Sequence, residues 1–283
     1  MRFGVLTLPT APWSQQIERW RYLDDLGWDA IYVADGLAHP RDPSLPWFDG
    51  WICLATAAQV TKRARLGMLV TSIIFRNPAE IVHAAIAVDH ASNGRMELGV
   101  GSGDSEFDHA LAEVPNWSAR ERARRFRDYV ARVRGLLDGA DERLNPRGIQ
   151  ARIPLVVAAQ GPKALRIAAE FADKWNTYGG RRLSAEEGRE VVRRLAKRFD
   201  AALAENGRDA RDVRRSVLLG TGFIAEEPFR SEDAFKEVAE AWREIGMDEI
   251  VFYDPPERNA PPGTPVDRDL YERIVREVMP TCS

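Results

Sequence analysis

The chain has 283 residues, a hydrophobic fraction of 45% and a formal net charge of −3. The length suits one large domain or two small ones, and the hydrophobic fraction supports a sizeable buried core. Proteins that bind nucleic acids usually carry an excess of basic residues, so the charge argues against that class.

The two cysteines, Cys53 and Cys282, lie far apart and match no disulfide framework or metal-ligand spacing. The first residues, "MRFGVLTLP", contain no long apolar segment followed by a small-residue cleavage site. No stretch approaches the about 18 apolar residues of a membrane-spanning helix. We therefore predict a soluble, cytoplasmic protein that binds neither a metal nor a membrane.

Short apolar runs alternate with longer amphipathic segments along the chain. The first run, "FGVLTL" at 3–8, is typical of a strand, and the next segment has Ile17, Trp20 and Leu23 at three-residue steps, as in a helix. The pattern predicts strands at 3–8, 29–35, 64–72, 95–103, 153–160, 173–179, 213–225 and 248–254. It predicts helices at 13–26, 50–61, 78–91, 118–138, 162–172, 184–205, 231–245 and 267–278.

Strictly alternating strands and helices imply a parallel sheet. Eight such units in fewer than about 300 residues match an α/β fold of the (β/α)₈ TIM-barrel type. We predict one such domain over residues 1–283, with a doubly wound open sheet as the alternative. The strand ends that would form the barrel mouth are rich in small residues. They lack the several carboxylates, histidines or lysines expected of metal or Schiff-base barrels.

Three alternate glycines, Gly99, Gly101 and Gly103, stand out in the segment "AVDHASNGRMELGVGSGDSEF" at 87–107. Dinucleotide-binding loops need the spacing G-x-G-x-x-G in the first βαβ unit, whereas this spacing is G-x-G-x-G and lies in the fourth. A strand tip without side chains instead indicates that something flat or bulky lies against it.

Four blocks of the sequence resemble the luciferase-like oxidoreductases of the bacterial luciferase superfamily. They are "GWDAIYVAD" at 27–35, the segment 63–107 with "RNPAEI" and "GVGSG", "PLVVAAQGPKALRIAAEFADKWNT" at 154–177, and "AWREIGMDEIVFYDP" at 241–255. The resemblance implies a TIM barrel that binds F420 or FMN at its mouth, and we favour F420. It also implies a non-prolyl cis peptide at Leu69–Val70, and an assembly into homodimers.

Two groups of residues are predicted to contact the cofactor. The first, which the resemblance implies, holds the ring and comprises Met68, Leu69, Val70, Gly101, Ser102 and Gly103. The second follows the fifth strand and comprises Ala158, Ala159, Gln160, Gly161 and Pro162. Because Pro162 opens a helix, and free N–H groups at a helix N-terminus attract phosphate, this second group is the predicted phosphate site. Lys163 either adds charge there or is a solvated surface residue.

Candidate acid–base groups are Asp35, Asp104 and His39. A carboxylate such as Asp35, at the end of the second strand, is able to bond a ring edge or transfer a proton. In many F420-dependent relatives a histidine follows this aspartate, but here the position is Gly36. His39 is the candidate substitute, with a surface-loop histidine as the alternative. Asp104 lies where relatives often carry glutamate, and Glu106 is the alternative to it.

Other residues near the strand ends carry weaker predictions. The F420 tail of glutamates is a candidate partner for the arginines near the mouth, which are Arg76, Arg181 and Arg182. An aromatic cluster in the second βα loop either covers the substrate or packs against a second subunit, and it comprises Trp47, Phe48 and Trp51. His83 and His90 are expected to be structural, and His109 stays open.

The predicted function is a hydride transfer between F420 and an organic small-molecule substrate at the barrel mouth. One alternative is a monooxygenase that uses reduced FMN and oxygen. Another is a flavin-binding protein without catalysis, for which Gly36 is the best support. A phosphate-sugar isomerase or aldolase ranks below these, because it predicts a lysine or glutamate at a late strand end, and strands six to eight offer no lysine there.

Overall fold

The computed structural model describes residues 1–220, 222–260 and 263–282. Its main sheet is wholly parallel and closes on itself, because β3 pairs with both β2 and β5. The strands of this barrel are β1 (Arg2–Thr7), β2 (Ala30–Val33), β3 (Arg65–Met68), β4 (Thr71–Ser72), β5 (Met96–Gly101), β6 (Leu155–Ala158), β7 (Lys174–Thr177), β9 (Arg214–Leu218) and β11 (Glu249–Tyr253). The short strands β8 (Leu183–Ser184) and β10 (Ile224–Ala225) form a second sheet.

Helices lie between the strands and surround the barrel. They are α1 (Trp13–Leu26), α2 (Gly50–Val60), α3 (Pro78–Ala91), α4 (Glu106–Leu111), α5 (Ala119–Leu137), α6 (Pro162–Phe171), α7 (Ala185–Glu205), α8 (Glu232–Glu244) and α9 (Arg268–Arg273). The prediction of a (β/α)₈ barrel is confirmed, and the open-sheet alternative is wrong. Within the described residues, no helix is both long and apolar enough to cross a bilayer.

Local sequence signals account for the helix ends. The Asn77 side chain accepts the N–H of Ala79 at the start of α3, and Pro78 occupies the first helical turn. Ser184 and Glu187 form a reciprocal capping box at the start of α7. Gly27 ends α1 with φ of 116°, a conformation that costs glycine little.

The predicted third strand, 64–72, is two segments separated by Leu69 and Val70. β3 pairs with the start of β5 and β4 pairs with its end, so the two segments are halves of one barrel strand. The peptide bond between Leu69 and Val70 is cis, which confirms the expectation for this position.

The predicted seventh strand, 213–225, is wrong in its second half. β9 ends at Leu218, and the chain turns at Gly220, which has φ of 156°, before β10 pairs with β8. Residue 221 of the predicted strand lies outside the described residues. The prediction also missed α4, a short helix that follows the glycine strand.

The glycines of β5 have a packing role. A Cβ on Gly99 would lie 2.0 Å from the carbonyl oxygen of Met68, and a Cβ on Gly101 would lie 2.5 Å from Cγ2 of Val70. The bare strand therefore accommodates the irregular backbone between β3 and β4. What lies against Gly99 and Gly101 is thus the neighbouring strand of the protein itself.

The barrel interior is layered from base to mouth. At the base, Lys174 Nζ bonds Glu97 Oε2 at 2.5 Å and Glu249 Oε2 at 2.6 Å, and Arg2 and Arg65 complete the ion pairs. An apolar layer lies above this base and includes Leu6, Leu69, Val156, Leu218 and Val251. The mouth then opens at the carboxyl ends of the strands, where barrel enzymes carry their active sites.

Candidate active site

A cavity of about 480 Å³ lies at the barrel mouth. This volume is within the range of pockets that enclose small organic ligands. The loops that follow β1, β2, β5, β7, β9 and β11 all contribute to its lining. The lining residues are Leu8, His39, Pro40, Arg41, Asp104, Ser105, Glu106, Phe107, Arg181, Gly222, Phe223, Tyr253 and Arg258.

One wall of the cavity is aromatic. The ring of Phe223 lies between Tyr178, with centroids 4.8 Å apart, and Tyr253, with centroids 6.1 Å apart and planes 18° from parallel. Burial raises the pKa of Tyr253 to about 12, against the opposing effect of nearby arginines, so its hydroxyl stays protonated at neutral pH. This wall offers an apolar surface that ends in a hydroxyl group.

His39 lies on this cavity and is only 9% exposed. Its Nδ1 accepts the backbone N–H groups of Asp42 at 3.1 Å and of Arg41 at 3.4 Å. A neutral imidazole that accepts at Nδ1 carries its proton on Nε2. The loop therefore holds His39 in the tautomer in which Nε2–H is a hydrogen-bond donor.

Trp47 packs against His39 within the loop that follows β2. Its ring meets the His39 ring edge-on, with centroids 5.5 Å apart. A Cβ on Gly36 would lie 3.0 Å from Nε1 of Trp47, which is tighter than ordinary packing. Gly36 thus makes room for Trp47, and Trp47 in turn supports His39.

Asp104 and Glu106 also lie on the cavity, and both are exposed. Asp104 Oδ2 is 3.4 Å from Nη2 of Arg181. Asp108 anchors the helix that follows, because its Oδ1 accepts the N–H of Leu37 at 2.8 Å. Burial raises the pKa of Asp108. This anchor joins α4 to the loop that carries His39.

Asp35 lies away from the cavity surface. Its side chain is fully buried, accepts the hydroxyl of Thr71 at 2.6 Å and pairs with Arg76 at 2.9 Å. The same guanidinium reaches Asp49 at 2.7 Å. Both Asp35 and Arg76 are therefore engaged in holding β2, β4 and α2 together, and neither lines the cavity.

The predicted ring-binding residues occupy the adjoining strand ends. Met68 has no exposed surface and packs in the layer between the barrel and the helices, whereas Leu69 is part of the barrel interior. Val70 is partly exposed above Leu69. Gly101 is buried, and Ser102 and Gly103 are partly exposed. Their contact with a cofactor stays a prediction.

The predicted phosphate site lies at the end of β6. Ala159 is buried, and its carbonyl accepts the indole N–H of Trp175 at 2.9 Å. Ala158 and Gln160 are partly exposed, and Oε1 of Gln160 accepts the hydroxyl of Thr177 at 2.6 Å. Gly161 and Pro162 are exposed at the start of α6, and no atom lies within 4 Å of the Cβ position of Gly161. These residues do not line the mouth cavity.

The remaining predicted residues are dispersed. Trp51 is in the core, and Phe48 is 39% exposed and packs against Trp13. His83 and His90 are exposed on α3, and His109 is buried against Trp117. Sequence reasoning missed the lining residues Arg41, Phe223 and Arg258. Phe223 lies beyond the turn that ends β9, and single arginines in an arginine-rich chain give no signal.

A family model described as luciferase-like monooxygenase matches residues 1–276. Over 202 residues the chain is 30% identical to an F420-dependent glucose-6-phosphate dehydrogenase of Beutenbergia cavernae, covering 64% of this chain and 58% of that protein. Over 201 residues it is 27% identical to 4-hydroxyprotoasukamycin monooxygenase of Streptomyces nodosus subsp. asukaensis, covering 62% and 52%. The matches thus span little more than half the length of these curated relatives.

A solved structure described as an F420-dependent secondary alcohol dehydrogenase in complex with an F420–acetone adduct superposes with a TM-score of 0.81. The superposition covers 100% of this chain and 99% of that chain at 15% identity, which is a likeness of fold. Since the family model extends over nearly all of the residues, this chain belongs to the luciferase-like monooxygenase family.

Proposed function

We propose that the protein is an F420-dependent oxidoreductase that transfers a hydride to or from an organic substrate at the mouth of its barrel. The observation that carries the proposal is the cavity itself. It brings a donor histidine, two exposed carboxylates and an aromatic wall together at the carboxyl ends of the strands. The similarity to an F420-dependent dehydrogenase supports the choice of cofactor.

The residues present fit a deazaflavin. Val70 and Ser102 expose part of their surface at neighbouring strand ends, and Ser102 lies two residues before Asp104, which lines the cavity. The N-terminus of α6 is open at Gly161, so its backbone N–H groups are accessible to a phosphate. Leu69, Val70 and Gly101–Gly103 would hold the ring, and Ala158–Pro162 would hold the phosphate. When bound, F420 supplies the chemistry by accepting or donating a hydride at C5 of its ring.

The protein's own residues then handle the substrate oxygen and its proton. In alcohol oxidation the two electrons of the C–H bond leave with the hydride, and the hydroxyl proton passes to a base. The Nε2–H of His39 donates a hydrogen bond to the substrate oxygen, where negative charge develops. Either Asp104 or Glu106 accepts this one proton and passes it to solvent, since both carboxylates are exposed. Carbonyl reduction uses the same groups in reverse.

The test is a binding titration of the purified protein with F420 and, separately, with FMN, followed by a turnover screen. We expect tight binding of F420, weak binding of FMN, and reduction of F420 by at least one alcohol in a panel of alcohols and carbonyl compounds. Binding of F420 without any turnover would favour the non-catalytic alternative. Binding of neither cofactor would overturn the proposal.

An FMN-dependent monooxygenase is the second candidate function. The observation that favours it is the 27% identity to 4-hydroxyprotoasukamycin monooxygenase. The two functions differ in their use of oxygen, because a monooxygenase consumes O₂ with reduced flavin and a hydride-transfer enzyme does not. Oxygen consumption measured with reduced FMN and with reduced F420 distinguishes them.

We also propose a cytoplasmic homodimer. Four exposed large apolar residues, Leu37, Leu45, Phe48 and Ile52, lie in the loop after β2 and the first turns of α2. Exposed apolar surface of this kind is typical of a protein–protein contact. Light scattering on the eluted protein is expected to give twice the 31.8 kDa mass of the chain. The substitution Ile52→Glu is expected to shift it to the monomer.

A further inference from the structure

We propose that Arg41, Arg181 and Arg258 form a site for the anionic group of the substrate, either a carboxylate or a phosphate monoester. The term substrate rests on the proposed function, whereas the anion site itself does not. Arginine forms paired hydrogen bonds to the oxygens of both groups, and this geometry makes it a selective partner for them.

The three arginines reach the cavity from three different loops. Arg41 follows β2, Arg181 follows β7 and Arg258 follows β11. Arg41 packs on the backbone of Gly222, where an added Cβ would lie 2.3 Å from its Nη2. Arg181 places its Cζ 6.0 Å from the ring of Phe223. The side chains therefore converge on the aromatic wall from separate parts of the chain.

The loop that carries Arg258 is fixed to the end of β11. Asn259 is 2% exposed, accepts the N–H of Tyr253 at 2.9 Å and donates to the carbonyl of Tyr253 at 2.7 Å. Such a paired bond mimics the pairing of two strands. It places the neighbouring Arg258 beside Tyr253, on the cavity.

The charges around the cavity favour an anion. The lining of the cavity holds three arginines and two carboxylates. Asp104 offsets part of the charge of Arg181, but at 3.4 Å and with both side chains more than 60% exposed the pair is weak.

The positive charges of the three arginines all act on the hydroxyl of Tyr253. Arg41, Arg258 and Arg181 all lower the pKa of its hydroxyl, although burial, the largest effect, raises that pKa to about 12. All three arginines are exposed and line the cavity, as Tyr253 and Phe223 do. An anion bound by them would lie at the rim of the cavity, with the rest of the molecule against Phe223 and Tyr253.

The cofactor is a less suitable source of this anion. The expected phosphate site, Ala158–Pro162, contributes no residue to the cavity lining. The cavity itself is needed for the molecule that exchanges a hydride with the ring.

The experiment compares matched anionic and neutral ligands by calorimetry on the protein without added cofactor. The pairs are 4-(hydroxymethyl)benzoate with benzyl alcohol, and glucose 6-phosphate with glucose. We expect at least one anionic member to bind about tenfold more tightly than its neutral counterpart. Its affinity is expected to fall as the salt concentration rises.

The variants are Arg41→Met and Arg258→Met, with Arg21→Met as the control. Arg21 is exposed on α1 and does not line the cavity, so its substitution removes the same charge elsewhere. Each cavity variant is expected to weaken the anionic ligand about tenfold and to leave the neutral ligand unchanged. The control is expected to change neither, and circular dichroism checks that all three variants fold.

Two results would overturn the proposal. One is equal affinity for the anionic and neutral members of both pairs. The other is that the cavity variants bind F420 more weakly but bind the anionic probes, and a deazaflavin that lacks the phosphate and tail, as tightly as the native protein does. That result would assign the arginines to the cofactor tail. Binding of the anionic probes by a protein that binds neither F420 nor FMN would support the anion site and refute the proposed function.

Discussion

Gly99 faces Met68 so closely that a Cβ on the glycine would lie 2.0 Å from the methionine carbonyl oxygen. The obstacle is backbone, which cannot rotate away as a side chain could. The same strand meets Val70 at Gly101, where the Cβ position is 2.5 Å from Cγ2. β5 and the interrupted strand beside it are therefore fitted to one another at the edge of the mouth.

The substitution Gly99→Ala is expected to destabilise the protein by more than about 4 kcal/mol, because neither strand has room to separate within a closed barrel. The control is Gly135→Ala in the last turn of α5, where the new Cβ would lie 3.7 Å from Ala140. The control is expected to stabilise the protein by about 0.5–1 kcal/mol through helix propensity. Urea denaturation measures both, and equal effects of the two substitutions would contradict this account.

Asp35 is expected to act on stability rather than as a proton donor. Asp35→Asn leaves the 13%-exposed Arg76 with one carboxylate fewer, and we expect a loss of about 2–4 kcal/mol. In a double-mutant cycle, Asp35→Asn and Arg76→Met are expected to be strongly non-additive, because each breaks the same pair.

The pH dependence of turnover separates these two roles for Asp35. If Asp35 only holds β2, β4 and α2 together, Asp35→Asn and Arg76→Met are expected to lower turnover to a similar degree. Neither substitution is then expected to shift the pH at which turnover is highest. A large loss of turnover in Asp35→Asn alone, with an unchanged melting temperature, would restore Asp35 as an acid–base group.

The base of the barrel is expected to make the protein sensitive to acid. Burial acts to raise the pKa of Glu97, but the attraction of Lys174, Arg2 and Arg65 outweighs it and holds the pKa well below the usual 4.5. Because the folded pKa is lowered, the carboxylate stabilises the fold above about pH 4.5, and this contribution is lost as the pH falls below that value.

The substitution Glu97→Gln tests this linkage. It leaves the cations of the base undercompensated, so we expect a loss of about 3–5 kcal/mol at pH 7. Between about pH 5 and 3 the stability of the variant is expected to fall less steeply than that of the native protein. Glu237→Gln, at a side chain 73% exposed, is the control and is expected to change neither quantity. Parallel pH curves for Glu97→Gln and the native protein would refute the assignment.

His39 is expected to act as a hydrogen-bond donor in turnover. His39→Leu removes the donor, and we expect kcat to fall about 10²–10³-fold, the cost of losing one donor to a developing oxyanion. His39→Gln keeps an N–H group near the same place and is expected to retain more activity. His83→Gln, on the exposed face of α3, is the matched control. Equal activity of the Leu and Gln variants would remove His39 from this role.

Much of the architecture is encoded in patterns that are local in sequence. The boundaries of α1 and α3 agree with the prediction to the residue, because apolar spacing and end signals such as Gly27 and Asn77 are contiguous. The split of the third barrel strand at Leu69 was expected through a resemblance. The turn at Gly220 that ends β9 was not, because strand pairing with β8 depends on residues far away in the chain.

The site is less predictable, because it depends on which loops meet. Asp104 and His39 were predicted from strand-end positions and do lie on one cavity. Asp35 shares such a position, yet its role here depends on Arg76, 41 residues further along the chain. Gly99 was expected to make room for a flat or bulky group, and the structure shows that it makes room for the backbone of Met68. A glycine in the sequence does not distinguish a space that a ligand fills from one that a neighbouring strand fills.

The apolar layer of Leu6, Leu69, Val156, Leu218 and Val251 separates two sets of charges, those of Lys174 at the base and those of the arginines at the mouth. Ions and water move poorly through such a layer, so the charges of the base are shielded from whatever occupies the cavity. The loops can acquire new substrates without altering the base. Stability and specificity are therefore open to separate change in this protein.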